Sequence, residues 1–94
     1  MPIFAVQYSY TDATTAGRDA HRATHREWLR GLLDQGVLRS SGPYPDGTGA
    51  LILIEAPDAA TAEETMAADP FQREGVIDNS RIVEWQPVMG TFAD

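Results

Sequence analysis

Residues 3–10 place Phe4, Val6, Tyr8 and Tyr10 on one side and Ile3, Ala5, Gln7 and Ser9 on the other, the period-two pattern of a first strand. A turn-prone segment, Thr11 to Gly17, leads into a stretch from Arg18 to Gly36 that reads as a helix. At about 100° per residue, Trp28, Leu29, Leu32 and Leu33 fall within an arc of about 140°, wide enough to face a core. His25 points into the middle of that arc. Nearer the N-terminus the same inward side carries Arg18, His21 and Arg22, so the buried face changes from hydrocarbon to ionisable groups. A helix patterned this way packs at one end and lines a polar pocket at the other. Gly36 is the natural C-terminal cap.

Val37 to Ser41 reads as a second strand ending at Gly42-Pro43, and the turn formers between Pro43 and Gly49 predict a hairpin. Ala50 to Ala56, with its Leu-Ile-Leu-Ile centre, is apolar on both faces, as in a strand covered on both sides. Pro57-Asp58 begins a second helix, with Asp58 or Thr61 as N-cap and Thr61-Ala-Glu-Glu64 resembling a capping box. It runs to about Ala68 and is stopped by Pro70. A loop from Phe71 to Asn79 contains Gly75, and Arg81 to Met89 alternates as a last strand.

The order βαββαβ predicts an α+β fold of the ferredoxin-like plan: a four-stranded antiparallel sheet with both helices on one face. Ninety-four residues are read as a single domain, 1–94, without repeat or linker. Because the third strand is apolar on both sides, the uncovered face of the sheet would be greasy in a monomer, so a homodimer packed through that face is expected.

Composition narrows the classes of partner. With 7 Lys+Arg against 14 Asp+Glu the formal net charge is −7, which repels phosphate backbones and anionic lipid, so neither nucleic acid nor membrane is expected as a partner. The absence of cysteine excludes disulfides, thiolate metal ligands and a cysteine nucleophile, and fits a cytoplasmic location. The N-terminus lacks a basic region followed by a long apolar segment, and Ala50–Ile54 is far too short to span a bilayer.

Tracing the strands up and down brings the start of the first helix, the end of the second strand and the end of the second helix to one edge of the sheet. His25, Gly42-Pro43 and Asp69 therefore converge. Asp69 falls at the negative end of a helix dipole, where an unpaired carboxylate is disfavoured by about 0.3–1 kcal/mol, and His25 is its nearest partner. Such a pair could move protons near neutral pH. Against this, a histidine on an apolar helical face is commonly a core residue bonded to a carbonyl, and Asp69 before Pro70 could equally be a local cap. Arg18 and Arg22 could bridge to Asp12 or Asp19, or could hold an anion. His21 and His25 have the i, i+4 spacing of a metal pair, but Arg22 stands where the zinc protease motif needs a glutamate, and no metal or other cofactor is expected. Ser40 and Ser41 lack a G-x-S-x-G elbow, which argues against a hydrolase triad.

The combination Arg18, Arg22, His25, Gly36, Ser41-Gly42-Pro43 and Asp69-Pro70-Phe71 followed by Gly75 resembles the YciI-like (YCII-related) family over nearly the whole chain. The resemblance implies a ferredoxin-like subunit of a dimeric α+β barrel and an active site built on a His-Asp pair, carried over here onto His25 and Asp69. One member resembles an enzyme that eliminates chloride from a chlorinated hydroxyquinol, implying proton removal from a small cyclic, enolisable or phenolic compound. His21 falls outside the family pattern.

The resulting expectation is a small homodimeric enzyme in which His25, oriented by Asp69, acts as acid or base on a small anionic or phenolic molecule. Arg18 and Arg22 would hold its charge, with Ser41, Gly42, Pro43 and Phe71 lining the substrate site. The alternative is a non-catalytic small-molecule-binding or accessory protein of the same fold; a third reading is a purely structural dimer.

Overall fold

The computed structural model describes residues 1–93. Its elements are β1 (Ile3–Ser9), a 3-10 turn (Asp12–Thr14), α1 (Thr15–Asp34), β2 (Leu38–Pro43), β3 (Gly49–Glu55), α2 (Ala59–Ala67), α3 (Pro70–Arg73) and β4 (Asn79–Trp85). The strands form one antiparallel sheet in the order β2-β3-β1-β4, the ferredoxin-like plan expected from the sequence. Register follows the alternation of side chains. Phe4, Val6 and Tyr8 share a face with Ile52 and Ile54, and Leu32 of α1 with Ala62 and Met66 of α2 closes over them. Each large side chain buried there contributes about 1.5–3 kcal/mol.

The structure moves several boundaries. α1 starts at Thr15, three residues before Arg18, so Gly17 lies inside the helix. A methyl group built on Gly17 would meet Val76 Cγ1 at 2.5 Å; the glycine is there because the loop after α3 passes close to the helix, not to make a turn. Leu33 falls outside the buried stripe and is 55% exposed. Gly42 and Pro43 belong to β2, which tolerates a proline because it is an edge strand with one side free of ladder bonds. α2 is capped by Asp58, whose carboxylate accepts from Thr61 N–H at 2.8 Å, so the box beginning at Thr61 is not the cap. Pro70 starts a helix rather than a loop: it occupies the first position of α3, where its missing N–H leaves no bond unmade. β4 ends at Trp85, opposite Ile3, instead of reaching Met89. Beyond that pair the facing residue is Pro2, which has no N–H to give, and Val88 and Met89 are exposed.

The second face of the sheet is not bare. Ile3, Ala5 and Leu53 are buried there against the partly buried Leu51 and Val83, and Phe92 folds back over them. Phe92 meets Trp85 edge-on at 6.2 Å, and Arg39, paired with Glu55 at 2.8 Å, stands 5.6 Å above the Phe92 ring. The tail thus supplies part of the cover that the sequence reading assigned to a second copy.

Candidate active site

Asp69 is the first piece to place. It lies between the end of α2 and the start of α3 and is fully buried. A carboxylate in that position needs hydrogen-bond donors, because burying an unpaired charge is expensive. Three are supplied. Phe71 N–H donates to Oδ1 at 3.0 Å as the cap of α3, the Tyr8 hydroxyl donates to Oδ2 at 2.6 Å, and His25 Nδ1 lies 2.7 Å from Oδ1. The two sequence readings of Asp69, local cap and histidine partner, describe one side chain doing both at once.

With both carboxylate oxygens accepting, the proton between His25 and Asp69 belongs to Nδ1, and Nε2 remains the free nitrogen of the ring. Phe71 lies parallel to the imidazole, with centroids 3.9 Å apart and planes 2° from coplanar. The ring is therefore held at one edge by Asp69 and across one face by Phe71. It is not walled off: His25 lines a cavity of about 220 Å³ whose wall also includes Tyr10, Arg22, Arg26, Leu29, Ser41, Gly42, Pro43 and Phe71.

Arginines come from one side of α1. Arg18, Arg22 and Arg26 recur every four residues and all reach the cavity wall. Their engagements differ. Arg18 is buried; it donates to Thr14 Oγ1, to Thr15 Oγ1 and to the carbonyls of Thr11 and Val76, lies 3.9 Å from Asp78, and stacks 4.0 Å above the Tyr10 ring. Its head group ties α1 to the turn before it and to the loop after α3, and its ion-pair partner is Asp78 rather than the Asp12 or Asp19 weighed from the sequence. Arg22 does pair with Asp19, at 2.6 Å, and is half-exposed. Arg26 is exposed at the rim.

Asp78 is held below the usual carboxylate range by hydroxyl donors, Thr11 at 2.6 Å and then Thr14 at 2.6 Å. Burial, followed by the neighbouring Asp69 charge, pushes the Tyr8 phenol far above its ordinary value, so it stays protonated as a donor. Burial also raises Tyr10, with the Arg18 cation acting against it.

His21 points elsewhere. Its Nε2 is 3.7 Å from Glu74, while His25 engages Asp69, so the i, i+4 pair serves two different carboxylates. Among the described residues no three His, Asp or Glu side chains are grouped to hold a metal ion. Sequence reasoning missed Tyr8 as the side-chain donor to the second oxygen of Asp69, and Tyr10, Arg26 and Leu29 as cavity lining. A period-four arginine row was visible in the sequence and could have flagged Arg26; nothing local marks Tyr8, which lies 61 residues from Asp69.

A family model described as the YCII-related domain matches residues 3–86. No curated protein matches the chain. Among solved structures, 5-chloro-2-hydroxyhydroquinone dehydrochlorinase (TftG) from Burkholderia phenoliruptrix AC1100, in complex with 2,5-dihydroxybenzoquinone, superposes with a TM-score of 0.79 at 20% identity. That match covers 98% of this chain and 99% of the other, and shows that the two share a fold.

Proposed function

Because the chain belongs to the YCII-related domain family, we propose that it is a small enzyme carrying out general acid/base chemistry, proton abstraction or elimination, on a small anionic or phenolic molecule. The observation that carries this reading is the buried His25–Asp69 pair, 2.7 Å apart, on the wall of an open cavity. His25 acts through Nε2. A proton taken there leaves an imidazolium whose Nδ1–H is already bonded to a carboxylate, so the charged intermediate is stabilised without rearrangement.

The removed proton leaves a negative charge on the substrate, as an enolate or phenolate. Arg22 and Arg26 line the cavity without the full set of protein bonds that occupies Arg18, and are the cations assigned to that charge. In an elimination, the electron pair of the broken C–H or O–H bond expels the leaving group, and the proton on Nε2 passes to solvent. At about 220 Å³ the cavity falls below the range of about 300–1,000 Å³ usual for ligand pockets, which favours a single-ring substrate. The similarly folded TftG is a dehydrochlorinase in complex with a one-ring quinone, which supports the same substrate class.

The sheet face carries the proposed homodimer contact, supported by the partly exposed Leu51, Val83 and Trp85 beside Phe92. Light scattering at micromolar concentration should give twice the chain mass; the mass of one chain overturns it.

The site is tested by titrating 2,5-dihydroxybenzoquinone into the protein by calorimetry and by measuring chloride release from 5-chloro-2-hydroxyhydroquinone. His25→Ala and Asp69→Asn should each abolish turnover, and Arg22→Ala should weaken binding. Binding and turnover unchanged in both the His25 and Asp69 variants would overturn the assignment, and binding without turnover in the unaltered chain would make this a carrier or sensor.

A further inference from the structure

Tyr8 is almost wholly buried, and its ring belongs to the core between the sheet and α2. Packing alone would be served as well by phenylalanine, which brings no polar atom needing a partner. The hydroxyl has one: it donates to Asp69 Oδ2 at 2.6 Å. The backbone prepares the contact. Tyr8 lies near the end of β1 on the edge where α2 gives way to α3, and its ladder neighbours on either side, Ala50 and Ser80, are small, which leaves room for a large ring between them.

Without that donor, the carboxylate would be held through Oδ1 alone, by Phe71 N–H and His25. The Cβ–Cγ torsion of an aspartate is a broad, two-fold one, so a single gripped oxygen leaves the group free to rock. A donor on the opposite oxygen removes that freedom. We infer that Tyr8 is a positioning residue of the candidate site: by holding Oδ2 it locks the plane of the Asp69 carboxylate, which in turn keeps the His25 proton on Nδ1 and leaves Nε2 unprotonated toward the cavity. The inference rests on the proposed role of His25, because only a working Nε2 gives the locked tautomer a purpose.

The chain has two histidines, so a ring-nitrogen NMR spectrum of protein labelled with 15N-histidine is readily assigned, with His21→Gln identifying the second set. In the unaltered protein above neutral pH, His25 should show one tautomer with the proton on Nδ1. In Tyr8→Phe, with circular dichroism unchanged, its two nitrogen signals should converge toward the averaged pattern of an imidazole exchanging between its two tautomers. A folded Tyr8→Phe protein whose His25 signals match the unaltered ones overturns the inference, since a packing role alone would leave the tautomer untouched. If Tyr8→Phe does not fold, the unaltered chain still decides: a slowly exchanging downfield hydroxyl proton on Tyr8 is required, and its absence refutes the lock. None of these readings uses a substrate. Failure of the lock is thereby separable from failure of the enzymatic reading, which is judged by quinone binding and chloride release in His25→Ala.

Discussion

Replacing Asp69 by alanine should be among the most damaging single substitutions in this chain, and its cost follows from what would be left behind. The carboxylate is fully buried and accepts from Tyr8, His25 and the Phe71 backbone. Alanine leaves the Tyr8 hydroxyl and His25 Nδ1–H without an acceptor, at about 1–3 kcal/mol each. It also removes the cap of α3, worth about 1 kcal/mol. The total is about 3–7 kcal/mol, a large part of the 5–15 kcal/mol typical of a whole domain. Asparagine keeps a carbonyl that can serve Phe71 and His25 while its amide faces Tyr8, which must then turn to accept; only charge assistance is lost, about 1–2 kcal/mol. Urea denaturation followed by circular dichroism measures both, with the slope m held as a check that the same surface unfolds. The midpoint should fall in the order unaltered, Asp69→Asn, Asp69→Ala. If alanine costs less than about 1 kcal/mol, or no more than asparagine, the buried hydrogen-bond network does not carry the stability assigned to it.

Three further outcomes are expected. Because the folded-state value of Tyr8 is raised, its contribution is complete below the unfolded phenol value near 10 and is lost as pH rises beyond it, at about 1.4 kcal/mol per pH unit; urea midpoints should fall above pH 10 and should fall less steeply in Tyr8→Phe. Asp78 has the opposite sign: its lowered value gives stability present above about pH 4 and lost as pH falls through the folded-state value, so Asp78→Asn should flatten the acid limb of a stability profile. A methyl group on Gly49 would stand 1.9 Å from the Tyr8 carbonyl oxygen, so Gly49→Ala must push β1 and β3 apart and should lower stability by about 3 kcal/mol or more in the same urea assay.

Most of the architecture was legible because it is written in local periodicities. The alternation along Ile3–Tyr10, the helical arc apart from Leu33 at its edge, the Gly36 cap (φ 78°) and a cap for α2 narrowed to Asp58 or Thr61 are each decided within a few residues. The convergence of His25 with Asp69 followed from topology, since up-and-down strands bring those element ends to one edge. What was not legible depends on distant partners or on residues with two uses. Arg18 reads as an inward cation free to bridge to Asp12 or Asp19 or to hold an anion, because its actual partners, Asp78 and the Val76 carbonyl, arrive from 58 and more positions away. Pro70 ends one helix and starts another with the same missing N–H. Gly17 looks like a turn because nothing in its neighbourhood shows that Val76 will press against it. The tail over the second sheet face was unreadable for a related reason: Phe92 follows β4 closely, but most of what it covers, Ile3 and Ala5 of β1 and Leu51 and Leu53 of β3, lies about 40 or more positions back.

Asp69 and Phe71 sit two residues apart with a proline between them, yet one fixes the edge of the imidazole and the other its tilt. Proline's locked φ makes that tripeptide stiff before the chain folds. Two of the contacts that orient the ring thus come from one three-residue unit, with Tyr8 of β1 holding the far oxygen of Asp69, and none of them lies in the hairpin at 43–49 or in the tail. Under the proposed function, the lining contributed by Ser41, Gly42 and Pro43 could change, and with it the compounds accepted, while the contacts that hold His25 stay in place.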